Sequence, residues 1–169
     1  MTSGEPRGVE LRRLAADDWR VWRGLRLAAL EEAPYAFSSK LSDWTGAGDL
    51  ESRWRARLTS VPFNVVATLD GSAVGIVSAA RPPNAAAQLI SMWVAPSARG
   101  QGIGDALIEA VVTWSRENDA KAFYLDVFED NEAALRLYRR HGFRDRGRKP
   151  SEPEDDPVRV ERRMERQLD

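Results

Sequence analysis

The sequence predicts a single-domain α/β fold on a mixed sheet, with the element order β-α-α-β-β-β-α-β-α-β-β over residues 9–169. Two β-rich runs flank Asp70-Gly71, a pair that tolerates the positive φ angles of a tight primed turn, so they form an antiparallel hairpin. A strand ending near Val94, a helical pattern beyond it and the apolar run "AFYLDVF" then make a β-α-β unit. A chain of 169 residues holds one domain with a real core and is short for two.

Residues 1–8, "MTSGEPRG", read as a flexible polar tail without the apolar core of a signal peptide. "VELRRL", Val9 to Leu14, is a short strand, and Asp17 or Asp18 can cap the helix that follows. Trp22, Leu25, Ala28 and Ala29 recur at helical spacing, and the helix must stop before Pro34. A loop-rich stretch leads to a short helix over Leu50 to Leu58, then to the hairpin and the strand "AAAQLISMWV". Ile103, Leu107, Ala110, Val111 and Trp114 mark one face of the next helix. After "AFYLDVF", the run "NEAALRLYRRHG" is a helix with Asn131 at its cap and Gly142 past its end. "FRDRGRK" and "VRVERRMERQL" are the last two strands, joined by the acidic, proline-bearing loop "PSEPEDDP".

Composition narrows the chemistry. A formal net charge of -1 lacks the strongly basic face that holds a nucleic acid. No apolar run reaches the ~18 residues that span a bilayer, so no membrane partner is expected. The absence of cysteine excludes disulfides and thiolate metal sites, and a single histidine, His141, excludes a multi-histidine zinc site. No metal is expected, and the default compartment is the cytoplasm.

The stretch "VAPSARGQGIGDALIEAV" places Gly100, Gly102 and Gly104 where a helix is about to begin. The first N–H groups of a helix have no partner inside it and carry the positive end of its dipole. Glycines let the backbone approach an anion without an intervening Cβ, and Arg99 adds charge-assisted hydrogen bonds. This is the chemistry of a pyrophosphate cradle. No lysine follows the glycines as a P-loop requires. The third glycine comes one position early for a dinucleotide fingerprint.

"RGQGIG", Arg99 to Gly104, resembles the R/Q-x-x-G-x-G/A signature of GNAT N-acetyltransferases. "LDVFEDNEAALRLYRRHGF" resembles that family's second motif through Asn131, Ala134, Tyr138, Gly142 and Phe143. Two motifs in the right order, with matching topology from Val9 to about Leu168, make the resemblance specific.

The resemblance implies splayed central strands and acetyl-CoA as cosubstrate. The backbone of Met92, Trp93 and Val94 would pair with the pantetheine arm. Arg99, Gly100, Gln101, Gly102, Ile103 and Gly104 would wrap the pyrophosphate. Asn131 and Ala134 would hold the cofactor side, and Tyr138 would act as general acid on the leaving thiolate. The reaction implied is direct attack by a small-molecule amine or a peptide amino group, with no covalent enzyme intermediate. A backbone N–H such as that of Val94 would stabilise the oxyanion. Many relatives place an acidic residue on the central strand, and this chain has none between Ala85 and Ala98. Asp126, Glu129, Glu31 and Glu32 are the alternatives for proton removal through water, and bulk water alone is a further one.

On the acceptor side, Glu32, Tyr35, Phe37 and Trp44, with Trp54 beyond them, would suit a cationic amine through ionic and cation–π contacts. His141, in the last turn of its helix, reads as structural. Strand edges of such a sheet can pair, which makes a homodimer compatible with the sequence. A non-catalytic acyl-CoA-binding or sensing protein on the same fold is the alternative function.

Overall fold

A computed structural model of the chain describes residues 8–81, 86–149 and 159–168. Among these residues the elements follow the predicted order: β1 (Val9–Arg13), α1 (Trp19–Glu32), α2 (Glu51–Ser60), β2 (Phe63–Leu69), β3 (Ser72–Ala80), β4 (Ala87–Val94), α3 (Ile103–Glu117), β5 (Ala122–Phe128), α4 (Glu132–Arg140), β6 (Arg144–Arg148) and β7 (Glu161–Gln167). Short 3-10 turns punctuate the stretch between α1 and α2. The predicted loop "PSEPEDDP" and all of the predicted tail except Gly8 lie outside the described residues.

The strands form one sheet in the order β1-β2-β3-β4-β5-β7-β6. β4 and β5 are its parallel pair, and the other neighbours are antiparallel. At the β2–β3 hairpin, Asp70 and Gly71 both take positive φ (49° and 84°), as a primed turn requires. α1 ends at Glu32, before Pro34. α4 begins where the Asn131 side chain accepts the Ala134 N–H at 3.3 Å. Its end is followed by Gly142 at φ 83°. One expected cap differs. Asp18 stands at the N-cap of α1, but its side chain accepts from the Ala15 N–H (2.8 Å) and from Arg12 (2.9 Å) instead. The intervening 3-10 turn, Ala16–Asp18, draws the carboxylate back to its own start.

Side-chain alternation along the strands feeds two cores. Val65, Ala67, Val77, Ala79 and Leu89 pack with α3 and α4 residues such as Leu107, Val111 and Leu135. Val66, Ile76 and Trp93 pack with Trp22, Leu25, Trp54 and Leu58 of α1 and α2. Trp22 and Trp54 are completely buried; burial of a large apolar side chain stabilises by roughly 2 kcal/mol.

β4 breaks the alternation. Leu89 faces the α3 side while Trp93 faces the α1 side, although a regular strand would put both on one face. The register explains it: Ile76 pairs with Trp93 and Ser78 with Ile90, so the short gap on β3 opposes an extra residue on β4. Ser91, inside this bulge, has φ 55°. The bulge reverses the facing of everything after it.

Candidate functional site

β4 and β5 pair only at Ala87–Phe123 and Gln88–Tyr124. Beyond these residues, where the Ser91 bulge bends β4, no further pairing joins the two strands. The result is a gap in the middle of the sheet with backbone groups on its rim. Ala95 N–H donates to Val74 at 2.7 Å, which fixes those two as a hydrogen-bonded antiparallel pair. Alternation then turns the N–H and C=O of Val94 away from β3 and into the gap.

The glycine turn follows at the end of β4. Gly100 and Gly102 have φ of 76° and 81°, the left-handed region that non-glycine residues seldom enter. Gly102 is the N-cap of α3, and Ala106 is the first residue of that helix to donate inside it, to Gly102 at 3.0 Å. The N–H groups of Ile103, Gly104 and Asp105 therefore have no acceptor within the helix. Gly104 is packed, since a Cβ there would meet Met92 Cε at 3.4 Å and Leu137 Cδ2 at 3.6 Å.

Two cavities open on the gap. One, of about 530 Å³, lies at the glycine turn and is lined by Trp93, Val94, Arg99, Gly100, Gly102, Ile103 and Gly104, with Arg140 and Asp105 at its side. The other, of about 360 Å³, lies toward α1 and α2 and is lined by Trp22, Arg26, Trp44, Trp54, Arg57, Ser91 and Asp126 among others. They share Ala36, Phe37, Met92, Asn131, Ala134 and Tyr138.

Tyr138 stands at this junction. α4 holds its ring edge-on to Phe143, with centroids 5.7 Å apart. Burial pushes the hydroxyl up to about 12, so it is protonated at neutral pH. Its hydrogen-bond partner is the Met92 sulfur at 3.9 Å, a weak acceptor. The hydroxyl therefore keeps its proton, engages the protein only weakly, and lies where the two cavities meet.

The remaining expected residues separate clearly. Phe37 lines both cavities, and Trp44 and Trp54 line the smaller one. Tyr35 lines the glycine-turn cavity and not the smaller one. Gln101 lines neither; its exposed amide donates to Ser97 C=O at 3.5 Å. Glu32, expected on the acceptor side, lines neither cavity. One of its oxygens accepts from Trp93 Nε1 and from Arg99 Nη2, both at 2.9 Å. The Trp93 hydrogen bond, then Arg99, holds its carboxyl below the usual range. The bulge that turns Trp93 toward α1 creates this contact. Glu32 thus ties the end of α1 to β4 and steadies Arg99, whose Nε also donates to Val94 C=O at 3.0 Å.

Of the four carboxylates weighed for proton removal, Asp126 lines the smaller cavity, where Arg163 binds it in two hydrogen bonds of 2.9 and 3.1 Å. Glu129 is exposed, and Glu31 lines neither cavity. His141 ties the end of α4 to α3 through Asp105 (2.6 Å) and Glu109 (3.5 Å). Among the described residues, no group of three or more Asp, Glu or His could hold a metal ion.

Arginines of the protein itself already lie over three rings of the aromatic wall. Arg26 lies over Phe37 at 4.7 Å, Arg53 over Trp44 at 4.0 Å and Arg57 over Trp22 at 4.7 Å. The sequence reading missed Arg26 and Arg57. They occupy helical positions that resemble any polar face, and only tertiary packing buries Arg26 and half-buries Arg57. It also missed Arg140, whose guanidinium bonds Asp105 at 2.7 Å beside the glycine turn; its place in the last turn of α4 was the available signal.

Comparison with known proteins agrees with this geometry. A family model described as the acetyltransferase (GNAT) family matches residues 17–143. The uncharacterized N-acetyltransferase YobR of Bacillus subtilis (strain 168) is 36% identical over 55 residues, which are 32% of this chain and 22% of that protein. A GCN5-related N-acetyltransferase from Kribbella flavida superposes with a TM-score of 0.75 at 24% identity, covering 97% of this chain and 100% of the other. The PaiA N-acetyltransferase of Thermoplasma acidophilum, solved in complex with coenzyme A, gives 0.72 at 15% identity over 95% and 99% of the two chains.

Proposed function

The chain belongs to the GNAT acetyltransferase family, and from that premise we propose that it transfers an acetyl group from acetyl-CoA to a primary amine by direct attack. The observation that carries this reading is the position of Tyr138, with its proton retained by burial, where the two cavities join beside the β4–β5 gap. The gap and the glycine turn suit the cosubstrate: a narrow slot rimmed by strand backbone for the pantetheine arm, and unpaired N–H groups with Arg99 for the pyrophosphate. Arg140 supplies a further cation at that end.

Acetyl-CoA supplies the electrophilic thioester and the thiol leaving group. The Val94 N–H, turned into the gap, is the donor for the oxyanion. The Tyr138 hydroxyl carries the proton for the departing sulfur and exchanges its weak sulfur partner for a stronger, charged one. Asp126, on the wall of the smaller cavity, is the carboxylate through which water can relay the amine proton back to Tyr138.

The lack of a carboxylate on Ala87–Val94 favours a second reading, a protein that binds acyl-CoA without transfer. Calorimetry with acetyl-CoA, followed by CoA-thiol release over an amine panel, separates the two. Binding and release support the transferase; binding without release on any amine supports the sensor. Absence of binding removes both.

A further inference from the structure

We propose that the acceptor is a small amine that also carries a carboxylate, as an α-amino acid does, and that Arg26 and Arg57 hold this carboxylate in the smaller cavity. The proposal rests on the acetyltransferase reading and names its acceptor class.

Arg26 is 8% exposed and lines this cavity. Its Nη1 has no hydrogen-bond partner, and the side chain makes no ion pair among the described residues. Its guanidinium lies over the face of Phe37, 4.7 Å from the ring centre. Arg57 also lines the cavity and donates to neutral oxygens: Asn64 Oδ1 at 3.0 Å, Ser78 Oγ at 3.3 Å and Ser91 Oγ at 3.2 Å. It too has no carboxylate among the described residues. Burial lowers both guanidinium groups to about 10, and for Arg26 the positive charge of Arg57 adds to the effect. Both remain charged at neutral pH.

Two adjacent cations, Arg26 buried and Arg57 half-buried, that lack an ion-pair partner among the described residues are costly to the fold. Other arginines of this protein pair with acids, as Arg23 does with Asp49, Arg162 with Asp145 and Arg163 with Asp126. A ligand carboxylate would supply the missing counter-charge, accepting two parallel bonds from a guanidinium. The phosphates of the cosubstrate do not fill this role, because neither arginine lines the glycine-turn cavity. The volume of about 360 Å³ suits one small molecule whose carboxylate meets Arg26 and whose amine points to Tyr138. In the reaction the amine nitrogen bonds the acetyl carbon and the carbon–sulfur bond breaks. The thiolate takes the Tyr138 proton, and the proton lost by nitrogen returns to Tyr138 through water.

Matched pairs test this: each amino acid against the amine left by its decarboxylation, such as phenylalanine against phenethylamine and lysine against cadaverine. The expected result is a kcat/KM higher by about a hundredfold or more for the acid. Arg26→Met should collapse that ratio by at least about tenfold, and Arg26→Lys should restore part of it. Equal or better use of the decarboxylated partner, or a ratio that survives Arg26→Met in a folded protein, overturns the proposal. Acetyl-CoA binding with transfer to neither arm overturns it as well. If acetyl-CoA itself does not bind, the acetyltransferase reading fails. Calorimetry with the amino acids alone then decides the anion site: binding that Arg26→Met removes upholds it, and no binding overturns it.

Discussion

The Tyr138 hydroxyl lies 3.9 Å from the Met92 sulfur, so α4 touches the distorted strand β4 through a bond the protein can easily surrender. Tyr138→Phe removes the proton while leaving the ring against Phe143. Turnover should fall by more than about tenfold, with acetyl-CoA affinity within about twofold of wild type. Because burial raises the hydroxyl to about 12, the wild-type rate should show no loss from this group between pH 8 and about 11. A pH–rate profile and calorimetry on both proteins check the two statements; unchanged turnover would remove Tyr138 from the chemistry.

Gly102 has φ 81° at the head of α3. A β-branched residue there is strained whatever space surrounds it, by about 1–3 kcal/mol, and it adds a side chain where an anion must approach the N–H groups. Gly102→Val should therefore lower the melting temperature and abolish detectable acetyl-CoA binding. Retained binding would refute the phosphate cradle. By contrast, a Cβ at Gly104 makes only ordinary contacts with Met92 and Leu137, so Gly104→Ala should melt close to wild type.

Glu32 receives two donors on one oxygen and couples Trp93 to Arg99. Glu32→Gln keeps the shape but loses the charge that steadies Arg99, so KM for acetyl-CoA should rise about fivefold with a smaller change in kcat. Its folded carboxyl is depressed by the Trp93 hydrogen bond and by Arg99. The stability it contributes is accordingly complete above the ordinary carboxylate range and is lost as pH falls through the depressed value. Wild type and Glu32→Gln should converge in melting temperature on acidification, and equal KM values at pH 7 would contradict the coupling.

What the sequence made legible is what local chemistry determines. Asp70-Gly71 specified its turn, Pro34 and Gly142 marked two helix ends, and periodicity ordered the elements. The glycine turn and Tyr138 were readable because two motifs resembled a family at once. The bulge at Ser91 was not: no glycine marks its positive φ, and it arises from pairing with β3. That single insertion sends Trp93 to the α1 face and so recruits Glu32, which sequence reasoning had given to the acceptor. Arg26 and Arg57 were hidden for a related reason, since helical spacing does not say which polar residue tertiary packing will bury, as it does Arg26, or half-bury, as it does Arg57.

Asp49 bears on the acceptor side from below. Its carboxylate accepts two bonds from Arg23, at 2.8 and 2.6 Å, and one from Trp54 Nε1 at 2.8 Å. The Arg23 bond first, then Trp54, lowers it to about 2. The Trp54 ring lies 4.6 Å from that of Trp44, tilted by 33°, and both line the smaller cavity. A depressed folded value means that the contribution to stability is full above the normal aspartate range and disappears as pH falls through about 2. Asp49→Asn should thus melt below wild type at pH 7, with the difference closing toward pH 2. Because the loosened indole forms the cavity wall, KM for the acceptor should rise about threefold or more while acetyl-CoA binding holds. Thermal melts across pH and acceptor kinetics measure both effects. A melting difference that persists undiminished at pH 2 would show that Asp49 acts through shape and not through its charge.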